Sequence, residues 1–258
     1  MALGCVVGKV WSAHLPVVTL NRGEPKPITL VVPYYENPVF FARQIRHWAT
    51  LSNQLSQWVT VLVVDDGSPT APATDALEQE QFLAQRTALR LFRIEQDVRW
   101  NWLAARNIGV HEAADGWVLL TDMDHVVPEE TLDALVHGQA KANTIYGFSR
   151  VEHTGDVIGP HPNSWFLTRS MFWKVGGYDE TLSGHYGTDG DWRRRCAQTA
   201  PMAILRDHLV RHEFVADAST SRYKRKQPED AAVSRIVGAR GKGWRPKILS
   251  FPYREVTA

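Results

Sequence analysis

Two aspartates, Asp122 and Asp124, follow an apolar run and are separated by one residue, Met123. The run from Trp117 to Leu120 is typical of a buried strand, and in a strand residues i and i+2 point to the same side. Two neighbouring carboxylates repel each other unless a cation lies between them, and oxygen ligands suit Mg²⁺ or Mn²⁺. The spacing therefore indicates a divalent metal site, although a strand end followed by a solvated turn is the commoner interpretation of so short a motif.

The elements that must position these aspartates alternate between apolar strands and helices. Strands are predicted at Ile28 to Tyr35, Trp58 to Val64, Leu89 to Ile94 and Trp117 to Thr121, and helices at Phe40 to Leu51, Ala73 to Arg86 and Leu103 to Ala114. This alternation predicts an α/β fold with a mostly parallel sheet and helices on both faces. Polar clusters end three strands, at Tyr34-Tyr35-Glu36, at Asp65-Asp66 and at the Asp122/Asp124 pair. Ligands of such sheets bind at the carboxyl ends of the strands, so we expect the three clusters to share one site.

The pattern is less regular after Pro128. Helices are predicted from Pro128 to Ala142, Arg169 to Val175, Gly187 to Gln198 and Asp230 to Ala239, and strands at Thr144 to Val151, Trp165 to Thr168 and Ala203 to Val210. The Gly-, His- and Pro-rich stretch between Val151 and Trp165 is expected to be a loop.

The bulk composition places the chain among ordinary globular proteins. Its 258 residues are 44% hydrophobic and 22% charged, which suits one sizeable domain. Cys5 and Cys196 lie far apart, so no disulfide framework is expected, in agreement with a reducing compartment. Apolar runs are too short to span a membrane and the first residues lack the basic start of a signal peptide, so a cytoplasmic protein is predicted.

Charge is unevenly distributed along the chain. The net charge is +1, but residues 213–258 carry ten Lys/Arg against five Asp/Glu. Such a basic tail can contact phosphates, including those of nucleic acid, or form a solvated face.

Five segments together carry a family resemblance. They are Ile28 to Tyr35, Val63-Val64-Asp65-Asp66-Gly67-Ser68, Ala105-Arg106-Asn107-Ile108-Gly109-Val110, Asp122-Met123-Asp124 and Gly187-Thr188-Asp189-Gly190-Asp191. In this order they resemble glycosyltransferases of the GT-A fold, similar to family 2. The resemblance implies a single Rossmann-like GT-A domain at residues 28–213, with a nucleotide-sugar-binding half at 28–127 and an acceptor half at 128–213. An N-terminal arm at 1–27 and a basic C-terminal extension at 214–258 would flank it.

The resemblance also implies a metal site. Asp124 would be the first ligand of Mn²⁺ or Mg²⁺, and Asp122 would contact the ribose or the ion. A distal histidine is expected at His212, with His208 as the runner-up. His125 would point to the opposite face of a continuing strand and have a structural role.

On the acceptor side the resemblance places the general base at Asp189, since the attacking hydroxyl must lose a proton. With one base and no second nucleophile, the resemblance implies direct displacement with inversion. Asp191 would either cap the helix or hold the acceptor. Trp165 and Trp192 would wall the acceptor site, although aromatic residues more often belong to the core. The chain departs from the family pattern at Thr188, where a glutamate is usual, and at Trp100-Asn101-Trp102, which is either core or an aromatic platform for a sugar or a base.

Residues expected to bind the nucleotide sugar come from both strand ends and turns. They are Pro33, Tyr34, Glu36, Asp65, Asp66, Arg106, Asp122, Met123 and Gly177. Arg106 is equally expected to form an ion pair on a helix face instead of contacting the donor. Gly177 is nearly as strongly expected to form a plain turn as to approach the sugar.

The sequence thus predicts a metal-dependent, inverting glycosyltransferase that moves a sugar from a nucleotide-sugar donor, expected to be a UDP-sugar, to a hydroxyl of a glycan or polysaccharide precursor. Two alternatives stay open. One is a glycosyltransferase acting on a hydroxymethylated base in DNA, which the basic tail would favour. The other is a nucleotidyltransferase or an inactive nucleotide-binding module, because fold does not fix chemistry.

Overall fold

The structure is a computed structural model that describes residues 15–213 and 228–256. The strands of these ranges are β1 (Val17–Val18), β2 (Ile28–Tyr34), β3 (Val59–Asp65), β4 (Ala88–Ile94), β5 (Trp117–Leu120), β6 (His125–Val126), β7 (Ile145–Val151), β8 (Val157–Thr168), β9 (Met202–His212) and β10 (Tyr253–Val256). The helices are α1 (Pro38–Ala49), α2 (Asn53–Ser56), α3 (Ala73–Gln79), α4 (Gln81–Ala84), α5 (Trp102–Glu112), α6 (Glu129–His137), α7 (Arg169–Val175), α8 (Asp189–Thr199) and α9 (Pro228–Gly238).

The strands form one mixed sheet in the order β1-β9-β7-β8-β5-β2-β3-β4-β10, with β6 beside β9. The centre is parallel: β2 pairs with β3 and with β5, and β3 pairs with β4. In this register Tyr34 lies opposite Asp65, and Val31 lies opposite Leu120. The carboxyl ends of β2, β3 and β5 therefore meet at one edge, as the sequence predicts.

Helices cover both faces of the sheet, so the predicted α/β layering is confirmed. One core packs side chains such as Phe41 and Trp48 of α1 against β2 and β3. The other packs Ile108 of α5 and Phe172 of α7 against the opposite face. A Cβ on Gly109 of α5 would lie 2.3 Å from Val31, so glycine lets this helix approach β2 closely.

The prediction of a loop between Val151 and Trp165 is wrong, because β8 begins at Val157 and forms a hairpin with β7. Pro160 and Pro162 argue against a strand interior because proline cannot donate to the ladder. They are tolerated because this half of β8 pairs only with β7, whereas β5 pairs only with residues 165–168. The hairpin carries residues of β8 to the sheet edge that holds Asp122.

Both ends of the described chain join the sheet. β1 pairs with β9 and β10 pairs with β4. The predicted boundaries of the arm and the basic extension stay predictions, and basic residues such as Arg222 and Lys224 lie outside the described residues. Among the described helices, none has the length and apolar character needed to cross a bilayer.

Candidate active site

A cavity of about 420 Å³ lies at the carboxyl edge of the central strands. It joins the two halves of the fold, because Asp66, Asp122 and Asp124 line it from one half and Asp189 from the other. The remaining lining residues are Pro33, Tyr34, Tyr35, Asn37, Trp100, Trp102, Met123, Pro162, Asn163, Tyr186, Gly187 and Thr188.

Asp122 and Asp124 both face this cavity because they lie in a turn. They do not lie in a continuing strand, where alternation would place them on the same side. β5 ends at Leu120, and the amide of His125 donates to the carbonyl of Asp122 at 3.0 Å. The turn keeps both carboxylates on the cavity. The same turn overturns the expectation that His125 points away on the opposite face of a strand.

Asp122 is held from both sides. The guanidinium of Arg106, which is fully buried in α5, pairs with Oδ1, and Asn163 Nδ2 donates to Oδ2 at 3.0 Å. His161 Nε2 lies 3.5 Å from the same Oδ2. Burial opposes ionisation, but Arg106 and the histidines outweigh it and lower the pKa of Asp122. Asp122 therefore stays a carboxylate, and Arg106 orients it.

Three imidazole rings stack beside the two aspartates. The ring of His125 lies 3.8 Å from that of His161 and 5.0 Å from that of His212, centroid to centroid. His125 is 3% exposed, and its Nδ1 lies 2.7 Å from Asp124 Oδ1. Burial, followed by the electrostatic effect of His125, lowers the pKa of His161 well below its usual range. The ring of His161 is thus suited to the neutral form, which is the form that binds metals.

His212 completes a donor set for a divalent ion. Its Nε2 lies 3.8 Å from Asp124 Oδ2, and its Nδ1 contacts Glu152 Oε2 at 2.6 Å. Oxygen and imidazole donors at this spacing suit Mn²⁺ and similar ions. Among the described residues, metal-ligating side chains form two groups, Asp122 with His125 and His161, and Glu152 with His153 and His212. Neither group includes Asp124 or His208, and His208, the runner-up, lies farther back on β9.

On the nucleotide side, Pro33, Tyr34 and Met123 line the cavity together with Asp66. Asp65 turns away from it, since its two oxygens accept the amides of Ser68 and Ala73 at 2.8 and 2.9 Å. Glu36 also serves the loop after β3, where its Oε1 accepts the amides of Thr70 and Ala71. The carboxylates of Asp65 and Glu36 thus hold the backbone of the loop after β3. Of Asp65, Asp66 and Glu36, only Asp66 lines the cavity.

Asp66 is nearly inaccessible and has one oxygen unused. Its Oδ2 accepts the amide of Asn101 at 3.1 Å, whereas Oδ1 is buried and has no hydrogen-bond partner among the described residues. Burial, and next the charge of Asp65, raise the pKa of Asp66 well above its ordinary value.

The raised pKa of Asp66 predicts a pH-dependent cost to stability. A carboxyl whose folded pKa exceeds its unfolded pKa contributes stability at low pH, and this is lost as pH rises from about 4 through the folded pKa. We expect Asp66→Asn to raise the free energy of unfolding at pH 7 and to reduce its decline between pH 4 and 8. Urea denaturation at several pH values tests this, with the exposed Glu78→Gln as control. Equal pH slopes in wild type and Asp66→Asn would contradict it.

On the acceptor side, Asp189 begins α8 and lines the cavity beside Thr188. Arg193 holds its Oδ2 at 2.7 Å. Asp191, two residues further along α8, has a 2% exposed side chain, and Arg194, Arg195 and Arg240 neutralise it. The structure thus separates the two acids: Asp189 faces the cavity, and Asp191 anchors the helix.

Besides Glu36, Asp65, Arg106, Asp191 and His212, three more residues that were assigned to ligands from sequence are absent from the cavity lining. Trp192 stacks on Tyr178 at 4.5 Å within the core, and Trp165 is also buried, with its indole donating to Pro162 O. Gly177 has a φ of 63°, and its close approach is to Asn107 and Trp173, at 2.9 Å from an added Cβ. We therefore assign these residues to packing. The aromatic wall of the cavity comes instead from Trp100, Trp102 and Tyr186.

Sequence reasoning missed His161, Asn163, Glu152 and Tyr186. The first three lie in or beside the β7–β8 hairpin. This hairpin was not predicted because Pro160 and Pro162 argue against a strand. A signal was present, because Gly155-Asp156 lies between the strand predicted to end at Val151 and the β-branched pair Val157-Ile158, which is typical of a hairpin turn.

Comparisons with known proteins agree with this geometry. The family model described as Glycosyl transferase family 2 matches residues 29–194, which is more than half of the chain. No curated protein sequence matches the chain.

Solved structures share the fold at low sequence identity. Staphylococcus aureus TarS 1-349 in complex with UDP-GlcNAc superposes with a TM-score of 0.64 at 16% identity, covering 82% of this chain and 65% of that one. The mannosyltransferase PcManGT from Pyrobaculum calidifontis, in complex with GDP-Man and Mn²⁺, gives 0.62 at 17% identity, covering 89% and 68%. GalNAc-T7 with UDP, GalNAc and Mn²⁺ gives 0.62 at 13% identity, covering 83% and 48%. The chain spans 60% of the uncomplexed TarS 1-349 structure.

Proposed function

Because this chain belongs to glycosyl transferase family 2 and is a glycosyltransferase of the GT-A fold, we propose that it transfers a sugar from UDP to a hydroxyl acceptor with inversion and with a divalent ion. One observation carries this proposal. A single cavity brings together Asp66, the Asp122/Asp124 turn and Asp189, which are the groups that base recognition, diphosphate binding and proton removal require.

Asp66 supports uridine as the base of the donor. Its Oδ2 is engaged by Asn101, so only the buried Oδ1 remains for a ligand. Uracil offers one ring N–H to a carboxylate, whereas guanine offers two adjacent donors that suit a carboxylate with both oxygens available. Two of the structural neighbours above also contain UDP or a UDP-sugar, and one contains GDP-mannose.

Asp122, Asp124 and His212 would hold the ion. Their donors are carboxylate oxygens and an imidazole nitrogen, with Nε2 of His212 only 3.8 Å from Asp124 Oδ2, which fits a first-row divalent ion. When bound, such an ion supplies positive charge to the diphosphate leaving group. Arg106 fixes the carboxylate of Asp122 from behind, and Glu152 fixes the ring of His212.

Asp189 would accept the proton of the attacking hydroxyl. Arg193 orients its carboxylate at the cavity wall, and one base serves direct displacement with inversion. The acceptor is proposed to be a hydroxyl of a glycan or polysaccharide precursor. Among the described basic residues of the C-terminal region, Arg240 is buried in ion pairs with Asp179 and Asp191 and is therefore not available to the phosphates of a nucleic acid.

We expect UDP or a UDP-sugar with Mn²⁺ to raise the melting temperature by about 5 °C or more at 100 times the dissociation constant. GDP should give a smaller shift, and omission of Mn²⁺ should reduce the UDP shift. A thermal-shift series with UDP, UDP-sugars and GDP, each with and without Mn²⁺, measures this. Asp124→Asn should remove the metal-dependent part alone, with Glu78→Gln as control. The absence of a shift with every nucleotide would contradict the proposed donor site.

A further inference from the structure

Two polar side-chain atoms at the wall of the cavity are buried and have no hydrogen-bond partner among the described residues. They are Oδ1 of Asn163 and Oγ1 of Thr188, and both residues line the cavity. Native proteins rarely leave a buried carbonyl oxygen or hydroxyl unpaired, because nothing then compensates its loss of hydration. These two atoms are therefore suited to contact a ligand of the cavity.

The side-chain amide of Asn163 is fixed in one orientation. Its Nδ2 donates to Asp122 Oδ2 at 3.0 Å, and an ionised carboxylate can only accept hydrogen bonds. A flipped amide would lose this bond and set two acceptor oxygens against each other. Oδ1 therefore stays on the other side of the amide group, where it can accept a hydrogen bond from a hydroxyl or an N–H group of a ligand.

Thr188 occupies the N-cap position of α8 without capping the helix. A threonine at this position ordinarily accepts a backbone N–H of the first turn, but the side chain of Thr188 makes no such hydrogen bond. The residue is 2% exposed, so bulk water does not serve the hydroxyl either. The hydroxyl, which can both donate and accept, is thus left for a ligand beside Asp189.

The two residues lie at the two ends of the proposed reaction. Asn163 contacts Asp122, at the end proposed to bind the diphosphate, and Thr188 directly precedes Asp189, the proposed base. The transferred sugar is bonded to the diphosphate through C1, and the acceptor hydroxyl attacks the same carbon. The sugar must therefore lie between the leaving group and the base, within reach of both residues.

The charge of the cavity wall restricts which sugar can bind there. The described residues that line the cavity include Asp66, Asp122, Asp124 and Asp189, but no lysine, arginine or histidine. A carboxylate on the sugar would find no cation among them and would lie near like charges, which is costly in a buried site.

We propose that Asn163 and Thr188 select the sugar of the donor, and that this sugar is uncharged and presents hydroxyl or N-acyl groups to them. Oδ1 of Asn163 accepts a hydrogen bond from a hydroxyl or an N–H, and Oγ1 of Thr188 exchanges one with a hydroxyl or a carbonyl. Sugars that carry a carboxylate are rejected. The inference rests on the proposed transfer from a UDP-sugar and goes beyond it, because it names the class of sugar and the residues that recognise it.

Equilibrium binding to the full chain with Mn²⁺ present tests this without turnover. The probes are UDP, the uncharged UDP-glucose, UDP-galactose, UDP-GlcNAc and UDP-GalNAc, and UDP-glucuronic acid, which differs from UDP-glucose by its carboxylate. At least one uncharged UDP-sugar should bind the wild type about 10-fold more tightly than UDP, as two added hydrogen bonds allow. The same UDP-sugar should bind about 100-fold or more tightly than UDP-glucuronic acid.

Variants assign this preference to the two residues. Thr188→Val keeps the shape of the side chain and removes the hydroxyl, so it should weaken binding of the preferred UDP-sugar about 3- to 10-fold and leave that of UDP unchanged. Thr188→Ser should restore most of the loss. Asn163→Ala also releases Asp122, so its effect is measured as the ratio of the affinities for the UDP-sugar and UDP, which should fall. Thr50→Val, which removes an exposed hydroxyl at the end of α1, is the matched control and should change neither affinity.

The outcomes separate this inference from the proposed function. If UDP binds but Thr188→Val has the affinity of the wild type for every uncharged UDP-sugar, the inference is overturned and the proposed donor site stands. The same holds if no uncharged UDP-sugar binds more tightly than UDP, or if UDP-glucuronic acid binds as tightly as UDP-glucose. Failure of the wild type to bind UDP with Mn²⁺ would overturn both. The ranking of these ligands by the wild type decides the class of sugar even if a variant fails to fold.

Discussion

Replacing Asp189 by asparagine is expected to lower turnover about 10²- to 10⁴-fold, because general-base catalysis contributes a factor of this size. Asparagine keeps the size of the side chain and removes its ability to take a proton. The carboxylate lines the cavity, and it contacts Arg193 at the surface of α8, so the fold should tolerate the change. Turnover measured with the donor found by thermal shift, together with the affinity for UDP, tests the expectation.

The pattern of effects matters as much as their size. Asp189→Asn should leave the affinity for UDP and Mn²⁺ unchanged, since Asp66 and Asp124, the residues proposed to bind them, line the cavity from other elements of the fold. Arg193→Gln removes the partner of Asp189 and should cost less turnover than Asp189→Asn itself. Unchanged turnover in Asp189→Asn would remove the assignment of the base, and lost UDP affinity would show that Asp189 acts in binding.

The convergence of the site was predictable because it depends on the direction of the central strands. Apolar runs ending in Tyr34 and Asp65 identify parallel strands, and the register places these residues side by side. The expected pairing of Asp122 with Asp124 was right for a different reason. A turn at residues 123–124, closed by the hydrogen bond from the amide of His125 to the carbonyl of Asp122, brings them together. Strand periodicity does not show where a strand ends.

Site residues that are brought together by pairing between distant strands could not be predicted in the same way. His161, Glu152 and His212 meet because β8, β7 and β9 lie side by side, with register shifts between Gly147 and Arg150. No spacing along the chain encodes such shifts. Trp192 follows the acceptor motif directly, but it lies on the face of α8 that packs into the core. The neighbouring residues in the sequence do not show whether Trp192 faces the core or the cavity.

Arg240 illustrates a stabilising contact that sequence spacing does not indicate, and it provides the second large expected effect. Its guanidinium, 9% exposed, pairs with Asp179 and Asp191, whose side chains are 0% and 2% exposed, and lies 3.7 Å from the centre of the Trp244 ring. Removing one partner of a buried ion pair typically costs about 3–5 kcal/mol because the remaining charge is left uncompensated. We expect Arg240→Met to lower the free energy of unfolding by this amount.

Urea denaturation at pH 7 measures that loss. As a control, Arg235→Met, which replaces an exposed arginine of the preceding helix, should change stability by less than about 0.5 kcal/mol.

The pH dependence of stability supplies a second readout. Burial opposes ionisation of Asp191, but Arg240, Arg195 and Arg194 outweigh it and lower its pKa. A depressed folded pKa contributes stability that is present above the unfolded pKa of about 3.9 and is lost as pH falls through the folded pKa. Arg240→Met should therefore lose less stability than wild type on acidification, and adding Asp179→Asn should recover part of the loss at pH 7. If the single variant is as stable as Arg235→Met, the ion pairs of Arg240 contribute no net stability, and Arg194 and Arg195 suffice to neutralise Asp191.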